Sequence, residues 1–538
     1  MHGSFQTWRL LDLKVGVSAP ESEVHRLARE KAGIDEEALR GLRLARRSVD
    51  ARRSGGRRRL TFNLHVDLTV DGDYHSETFE AAKRSGKLVE VPHAESFLLE
   101  DRPQGPARAV VVGAGPAGLY AAWVLALNGV AVDVIDRGAS LDRRGTDVVA
   151  FHRSRRPNPE SNLLFGEGGA GTYSDGKLYT RVDDPLEVAC LDFLVSCGAR
   201  DDILFDSRAH IGTDRLHRIL PVLRGKMVEL GVRFHWSTRM DSLALDRDGN
   251  RVVGVVTPDG ELPCDAAFIA PGHSARDTIH ALYAQGVRVE AKPFQLGVRI
   301  EHPQELIDRG RYGTSPEART LGPAYYNLVC KAGEGQPGSH SFCMCPGGKI
   351  VACVNESGLL CTNGMSNSMH SSPWANAAIV ATFGPREFGN GPFDGVAFQR
   401  DAEAAFFAAG GSDYTAPAQQ ADDFLAGRAT RNPRRSSYTF GTCPGRIDQL
   451  LPPLAREAIA RGLRRFDGQI RGFAGPEGLL VGLESRSSGP VRLPRDRESY
   501  RAEGFANLYP IGEGAGFAGG IMSAAIDGAR AAKRCIAG

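Results

Sequence analysis

Residues 109–138, AVVVGAGPAGLYAAWVLALNGVAVDVIDRG, decide the fold of this 538-residue chain. Their composition predicts a buried strand over 110–112, a Gly-x-Gly-x-x-Gly turn over 113–118 and a helix over 119–127. Residues 128–129 end the helix, and a second strand over 130–135 leads to Asp136. A glycine turn flanked in this way is typical of dinucleotide binding, because strand, helix and acid are all in place.

Each glycine of the turn has a mechanical reason. Gly113 permits the tight turn, Gly115 lets the backbone approach a pyrophosphate, and Gly118 lets the helix pack closely on the strand. The helix begins near Pro116 and Ala117, where free N–H groups and a partial positive charge favour phosphates.

The acid at the end of the second strand has a role of its own. Asp136 is expected to accept a hydrogen bond from a ribose hydroxyl, and Arg137 is assigned to the same site. The uncharged run 109–132 is also long enough for a membrane span, but its glycines, proline and Asn-Gly pair argue against that interpretation.

Length and composition set broad limits. A chain of 538 residues indicates about two to four domains, and a net charge of +2 selects neither nucleic acid nor a membrane as partner. The N-terminus, MHGSFQTWRLLDLK, lacks the apolar segment of a secretory signal, so a cytoplasmic location is expected. Ten cysteines are too few for a disulfide scaffold in a chain of this length and are expected to be reduced.

Residues 1–105 are predicted to form a small α/β module, with strands over 8–17 and 60–70 and a helix over 21–31. Its arginine-rich segment 42–59 could bind RNA or an acidic partner, or could be the solvated face of a hairpin that turns at 54–56. The hairpin is favoured because no aromatic residues are interleaved for base stacking. Residues 101–106, DRPQGP, are predicted to be a linker.

A second glycine-rich segment, NLLFGEGGAGTYSDGK at 162–177, suits backbone N–H groups wrapped around a ligand. A flexible loop is the alternative. The candidate cofactor-binding residues in this segment are Gly166, Glu167, Gly168, Gly169, Gly171, Thr172, Ser174, Asp175 and Lys177.

The remaining pattern predicts an interrupted nucleotide-binding domain. A helix over 216–230, a third parallel strand over 232–236, a β-meander over 238–262 and a buried strand over 266–270 continue the first fold. Residues 291–480, with strands such as 295–300 and 349–354, are predicted to be an inserted α+β substrate domain. The expected division is therefore 1–105, 106–290 with 481–538, and 291–480.

The closing stretch 507–529, NLYPIGEGAGFAGGIMSAAIDGA, contains a strand, a glycine turn and a helix from about Ile521. A second, NAD(P)-binding fingerprint would need another strand with an acid beyond it, and that strand is absent before Gly538. The segment is therefore expected to return to the first fold and complete an FAD site. Gly512 and Gly520 belong to its turn, Glu513 would accept from the ribityl chain, and the helix start at Ile521 would face the flavin pyrimidine.

The chain resembles a bacterial group of uncharacterised FAD-dependent dehydrogenases within the glutathione-reductase-like superfamily. The motifs that carry this resemblance are FGEGGAGTYSDGKL (165–178), HIGTD (210–214), GHSARD (272–277), SFCMCPGG (341–348), NGMSNS (363–368), GEGAGFAGGIMSAA (512–525) and RRSVDAR (46–52). It implies a Rossmann-like FAD-binding domain, with the Met240 backbone near the adenine and Gly272 near the cofactor.

The catalytic candidates are Cys343, Cys345 and His273. Two cysteines on one strand face lie about 6.5–7 Å apart between Cα atoms, which disfavours a structural disulfide. A bend at 346–348 would permit redox chemistry, and wall packing or metal ligation are the alternatives. His273 could be an acid–base group or could help position the following helix.

These observations favour an FAD-dependent dehydrogenase that exchanges a hydride between a small organic substrate and flavin N5. The alternatives are an oxidase or monooxygenase that uses O₂, and an RNA-binding or scaffold protein that keeps FAD as a structural ligand. NAD(P)H or another electron partner is expected to bind only transiently, and no membrane partner or resident metal is expected. Lys177 is expected to hold the cofactor, while His340, Asn363, Ser366 and Glu484 are candidates for the substrate pocket.

Overall fold

A five-stranded parallel sheet carries the decisive stretch. The computed structural model describes residues 5–54, 57–91, 94–100, 105–180 and 182–538. In spatial order the strands of this nucleotide sheet are Leu508–Pro510, Ala266–Ile269, Arg108–Val112, Ala131–Asp136 and Arg233–Trp236. The third parallel strand and the return of the closing segment, both predicted from the sequence, are confirmed by the pairing of Asp136 with Trp236 and of Ala267 with Leu508.

Two helices pack against each other on this sheet. Helix Pro116–Leu127 is apolar on every face because it lies between the sheet and the C-terminal helix Ile521–Ala537. Glycine is required at both close approaches. A Cβ on Gly118 would lie 1.9 Å from the Gly113 carbonyl oxygen, and one on Gly528 would lie 2.0 Å from the Ala117 carbonyl oxygen.

The elements around the nucleotide sheet follow the predicted order. The meander is confirmed as an antiparallel sheet of Ser242–Leu245, Val252–Thr257 and Gly260–Pro263. The surrounding helices are Leu141–Ser154, Leu186–Ser196, Thr213–Glu229 and Arg276–Ala284.

A seven-stranded mixed sheet forms the second large body of the chain. In spatial order its strands are Val329–Cys330, Ser339–Cys345, Trp374–Phe383, Phe294–Pro303, Leu479–Glu484, Ala416–Gln420 and Thr442–Pro444. Its helices are Gln304–Tyr312, Pro385–Phe388, Asp394–Ala409, Ala421–Ala426, Ile447–Leu450 and Pro453–Asp467. Strand Leu479–Glu484 crosses the boundary expected at residue 480, so we propose that the insert ends after Glu484.

Two short ribbons connect this sheet to the rest of the molecule. Strands Lys349–Ala352 and Thr362–Met365 form one hairpin, and Glu290–Ala291 pairs with Val491–Arg492 where the insert leaves and rejoins the nucleotide-binding fold. Both features hold the large sheet beside the carboxyl edge of the nucleotide sheet.

The N-terminal module is an antiparallel sheet covered by helices Glu21–Ala32 and Glu77–Arg84. Its spatial order is Leu39–Asp50, Thr61–Asp71, Phe5–Gly16 and Leu88–Glu90. Several arginines of the basic segment pair with acids, as Arg47 does with Asp206 at 3.0 Å, which agrees with a solvated hairpin.

Parts of two sequence predictions lie outside the described residues. The pairing of Arg53–Ser54 with Arg57–Arg58 agrees with the predicted hairpin, but Gly55 and Gly56 of its turn are not described. Residues 101–104 of the predicted linker are not described either. Among the helices that are described, none has the length and apolar character needed to cross a membrane.

Candidate functional site

One cavity of about 980 Å³ lies at the carboxyl edge of the nucleotide sheet and is closed on its far side by the large sheet. Gly115 of the first glycine turn and Gly512 of the last line the same cavity. In open α/β sheets this edge is where ligands bind. The volume lies at the upper end of the range found for cofactor sites.

The first glycine turn leaves space where a dinucleotide backbone would lie. A Cβ on Gly115 would meet nothing closer than the Gly169 Cα at 3.8 Å, so protein packing alone does not require glycine there. At Gly113 the opposite holds, since φ is +104° and a Cβ would lie 2.1 Å from the Ala270 carbonyl oxygen. Pro116 and Ala117 begin the helix and line the cavity, so its N-terminal N–H groups are available to an anion.

Asp136 joins the turn to the second glycine segment. Its carboxylate accepts the backbone N–H groups of Ala114, Gly138 and Gly166 at 2.7, 2.8 and 2.9 Å. Burial raises the pKa of Asp136 despite these three donors. The side chain also lines the cavity, so its predicted bond to a ribose hydroxyl would be a further contact and stays a prediction.

The second glycine segment divides into cavity-lining and supporting residues. Gly169, Gly171, Ser174, Asp175 and Lys177 line the cavity. Four other candidates of this segment, and Gly118 of the first turn, are not lining residues, and their part in cofactor binding stays a prediction: Gly166, Glu167, Gly168 and Thr172.

These supporting residues are held by two arginines that the sequence analysis did not identify. Arg144 is fully buried and donates to the carbonyl oxygens of Asn162, Glu167 and Gly169 at 2.6–2.9 Å. Glu167 accepts from the Leu141 N–H and is paired with Arg224 at 2.9 Å, so its carboxylate holds the start of a helix. No motif marked Arg144, because it acts on backbone carbonyls that are distant from any recognisable pattern.

Lys177 lies where several sequence motifs meet. Its Nζ is 2.7 Å from Asp175 Oδ2, and 4.0 and 3.7 Å from the sulfurs of Cys343 and Cys345. Burial opposes the charge of Lys177, but Asp175 and both thiols outweigh it and raise its pKa well above the ordinary value. Lys177 is therefore a permanent cation on the cavity wall.

The motifs 210–214 and 363–368 interlock beside this lysine. The Ser368 N–H donates to Asp214 at 2.6 Å, and a Cβ on Gly212 would lie 2.2 Å from the Ser368 nitrogen. Ser366 donates its hydroxyl to Asp175. Ser366 is buried in this network and does not line the cavity, whereas Asn363 and His340 do.

The Cys-x-Cys segment departs from a regular strand. Cys343 has φ of +45°, and the register with the neighbouring strand shifts between Phe342 and Cys345. Cys343 lines the cavity, but Cys345 is buried behind it and is not a lining residue. The simple alternation used in the sequence analysis therefore does not hold here.

A buried arginine, Arg299, contacts the backbone of this segment. Arg299 donates to the Cys343 carbonyl oxygen at 2.9 Å and is paired with Glu484 at 2.5 Å. Glu484 is thus committed to an internal ion pair and does not line the cavity.

His273 lines the cavity, with its Nδ1 2.8 Å from the Ser274 hydroxyl. Burial, followed by the Arg486 and Arg276 charges, lowers the pKa of His273 to about 4, so the imidazole is neutral at neutral pH. Helix Arg276–Ala284 has no side-chain cap, so the alternative that the segment around His273 caps this helix through a side chain is not supported. Asp277 instead pairs with Arg137 at 2.7 Å.

The closing turn supplies the opposite wall. Gly512, Glu513, Gly520 and Ile521 all line the cavity, and Gly520 precedes the first turn of the C-terminal helix. Burial raises the pKa of Glu513 to about 7 against the attraction of Lys292. The remaining cofactor candidates, Arg137, Met240 and Gly272, line the cavity as well.

The large sheet and the segments next to it add wall residues that the sequence analysis did not single out as site residues: Gln295, Tyr326, Asn327, Phe342 and Arg486. Each comes from a segment that is distant in sequence from both glycine turns, so only the folded chain brings them to the site.

The residues present fit FAD. Two helix N-termini line one cavity, and the glycines beside them leave space free because they have no side chains. The chain also matches known families over the corresponding segments. Residues 293–487 match the family described as FAD-dependent protein, C-terminal domain-like, residues 111–147 match an NAD(P)-binding Rossmann-like domain, and residues 7–69 match a domain of unknown function.

Two solved structures match most of this chain at low similarity. L-Proline dehydrogenase from P. horikoshii matches 80% of this chain and 93% of its own, at 12% identity and a TM-score of 0.33. CtdE in complex with FAD matches 79% of this chain and 82% of its own, at 8% identity and a TM-score of 0.30.

A full-length relative is found in Clostridium beijerinckii. This protein, described as uncharacterised, is 38% identical over 510 residues, and the match covers 94% of each chain. The matched C-terminal domain is that of FAD-dependent proteins, and FAD is the cofactor. This chain therefore belongs to the same family as the Clostridium protein.

Proposed function

We propose that this chain is a dehydrogenase that holds FAD along the cavity and exchanges a hydride between that cofactor and a small organic substrate. One observation carries the proposal: the two glycine turns, almost four hundred residues apart in sequence, line the same cavity with the large sheet. When bound, FAD supplies the hydride acceptor at flavin N5.

The chain's own residues then bind and orient the cofactor. The helix that begins at Pro116 would hold the pyrophosphate, and Asp136 would add a ribose contact to its three backbone bonds. The helix that begins at Ile521 would face the flavin pyrimidine, where its N-terminus stabilises negative charge by about 0.3–1 kcal/mol, or about 2 when partly buried. This arrangement supports our proposal that the chain is a member of the glutathione-reductase-like superfamily.

The substrate would lie between the cofactor and the wall formed by Gln295, Tyr326, Asn327 and Phe342. His273 is neutral at physiological pH, because burial lowers its pKa to about 4, and its ring is held by Ser274, so it would accept a hydrogen bond from the substrate. All ten cysteines fall within the described part of the chain and are free thiols, which fits the reducing cytoplasm that we propose as its location.

Anaerobic titration tests this function. Oxidised protein is mixed with NADH, NADPH and candidate metabolites, and the flavin absorbance is followed. In a dehydrogenase, the substrate reduces the flavin and its visible absorbance falls. The absorbance then returns slowly when the reduced protein is mixed with oxygen, but rapidly when it is mixed with an organic acceptor. Rapid reoxidation by oxygen alone would instead identify an oxidase or monooxygenase.

A further inference from the structure

The most unusual side-chain cluster of the cavity is a pair of thiols facing one cation. Lys177 Nζ lies 4.0 Å from the Cys343 sulfur and 3.7 Å from the Cys345 sulfur. The Cys345 thiol lies 3.4 Å from the Cys343 carbonyl oxygen. Cys343 alone of the two lines the cavity.

The backbone is shaped to hold this pair. Cys343 takes a left-handed conformation, φ +45°, where the strand register shifts, so it departs from the regular alternation of side chains. Such strain in a non-glycine residue costs about 1–3 kcal/mol and persists where surrounding structure imposes it. Here Arg299 imposes it, because its Nη1 donates to the Cys343 carbonyl oxygen at 2.9 Å.

Glycines from two motifs lie close to Cys345. A Cβ on Gly348 would lie 2.8 Å from the Cys345 Cβ, and a Cβ on Gly364 would lie 3.0 Å from the Cys345 sulfur. The motifs SFCMCPGG and NGMSNS thus meet at this one side chain. Ordinary packing of a small apolar residue does not need two glycines and a lysine around it.

Electrostatics single out Cys343 as the nucleophile. The hydrogen bond from Cys345, with the charges of Lys177 and Arg299, holds the pKa of Cys343 well below its ordinary value against the effect of burial. By contrast, burial raises the pKa of Cys190, Cys264 and Cys353. A thiolate at the cavity wall with a neutral thiol beside it is the reactive form of a dithiol.

We propose that Cys343 and Cys345 are a redox-active dithiol that exchanges two electrons with the FAD of the proposed function. In the forward direction the Cys343 thiolate and the Cys345 thiol form one S–S bond, and one S–H bond breaks. Oxidised FAD takes the two electrons and the proton, so its reduced form carries the negative charge that the thiolate loses. This inference rests on the proposed FAD site, which supplies the oxidant.

A disulfide at this place would be a labile one. Residues two apart on a regular strand are separated by about 6.6 Å between Cα atoms, close to the upper limit of about 6.8 Å for a disulfide. The left-handed Cys343 and the register shift take this segment off that regular spacing. Because Cys343 lines the cavity, a bridge to Cys345 would be open to reduction there. In the dithiol form Lys177 is paired with Asp175 and would stabilise the thiolate when the bridge opens.

Reductive titration of the FAD-loaded protein counts the electrons. Protein oxidised with glutathione disulfide and desalted is titrated anaerobically with dithionite while the flavin absorbance is followed. Wild type is expected to take four electrons per flavin, and Cys343→Ser and Cys345→Ser two each. The control Cys443→Ser removes a half-buried thiol outside the cavity and is expected to take four. An uptake of two electrons by wild type would overturn the proposal.

A second measurement does not depend on flavin or on variants. The oxidised protein is denatured in an alkylating agent and mapped by mass spectrometry. The peptide containing both cysteines is expected to lack two hydrogens and to carry no alkyl group, while the other eight cysteines are alkylated. Full alkylation of Cys343 and Cys345 at every glutathione ratio would contradict the inference. The visible spectrum of the protein separates the two proposals. A protein without flavin absorbance would contradict the proposed FAD site, whereas the disulfide found by mass spectrometry would still stand.

The role of the lysine has its own matched test. In the folded protein, Lys177→Met is expected to slow alkylation of Cys343 at neutral pH by about tenfold or more, since each pKa unit changes the thiolate fraction about tenfold. Lys349→Met, which removes an exposed lysine, is expected to leave the rate unchanged. Equal rates in all three proteins would show that Lys177 does not activate the thiol.

Discussion

At the scale of single residues, two buried polar groups have unusual surroundings. The Tyr326 hydroxyl lies in the cavity wall, and in the described part of the chain it has no hydrogen-bond partner. Burial raises the pKa of Tyr326, so the hydroxyl keeps its proton and can donate a hydrogen bond. His302 is fully buried, and its Nε2 lies 2.8 Å from the Phe473 carbonyl oxygen.

Tyr326→Phe is expected to stabilise the FAD-free protein. Removing a buried donor that lacks a partner recovers about 1–3 kcal/mol of desolvation free energy, while the ring that fills the space stays. Urea unfolding of wild type and variant measures the change. A less stable variant would mean that the hydroxyl has an internal partner in solution. If substrates accept from this hydroxyl, KM rises in the variant while FAD content stays the same.

The titration of His302 predicts a loss of stability in acid. Burial lowers the pKa of His302 to about 4, against an ordinary value of about 6.5, so the unfolded chain binds the proton more tightly. The contribution of His302 to the free energy of unfolding is therefore fully present above pH 6.5. It falls by about 3 kcal/mol as the pH is lowered towards 4. His302→Gln should lose correspondingly less between pH 7 and pH 4 in urea unfolding. Equal losses in both proteins would contradict the assignment.

At the scale of elements, the packing of two helices determines where the closing segment lies. Helix Ile521–Ala537 crosses helix Pro116–Leu127 at Gly528, where a Cβ would lie 2.0 Å from the Ala117 carbonyl oxygen. The same contact places the start of the C-terminal helix beside the first glycine turn. Gly528 does not line the cavity, but its contact positions the start of the C-terminal helix, which does.

Gly528→Ala is expected to destabilise the fold by at least about 2 kcal/mol. The new methyl group would clash with the backbone of the neighbouring helix, and a helix backbone cannot move aside as a side chain can. Gly225→Ala is the matched control. Gly225 also lies within a helix, but a Cβ there would meet nothing within 4 Å, so alanine should stabilise by up to about 1 kcal/mol. Thermal unfolding measures both changes. Destabilisation by both or by neither would refute this account of the contact.

Elements were predictable where local composition alone determines them. The strand, turn and helix at 108–127 were predicted because β-branched residues, glycines and alanines favour those structures locally. The bulge at Cys343 was not, because its cause is Arg299, which lies more than forty residues away in sequence. Arg144 was missed for the same reason.

At the scale of the whole molecule, the cavity is formed by two bodies that the sequence does not bring together. The order of motifs predicted that both glycine turns serve one cofactor, and both line the cavity. Position along the chain could not show that Lys177, Cys343 and Asn363 converge. Their contacts depend on how the large sheet lies against the nucleotide sheet, which is set by long-range packing.

The most direct test of the central claim is the FAD content of the purified wild type beside Gly115→Ala and Gly520→Ala. Cβ atoms at both positions are free of clashes in the protein, so both variants should fold with unchanged circular dichroism. Wild type should contain one FAD per chain, and each variant should bind FAD at least about tenfold more weakly, because the methyl group occupies the cofactor's space. Folded wild type that takes up no FAD, or variants that bind it equally well, would contradict the account.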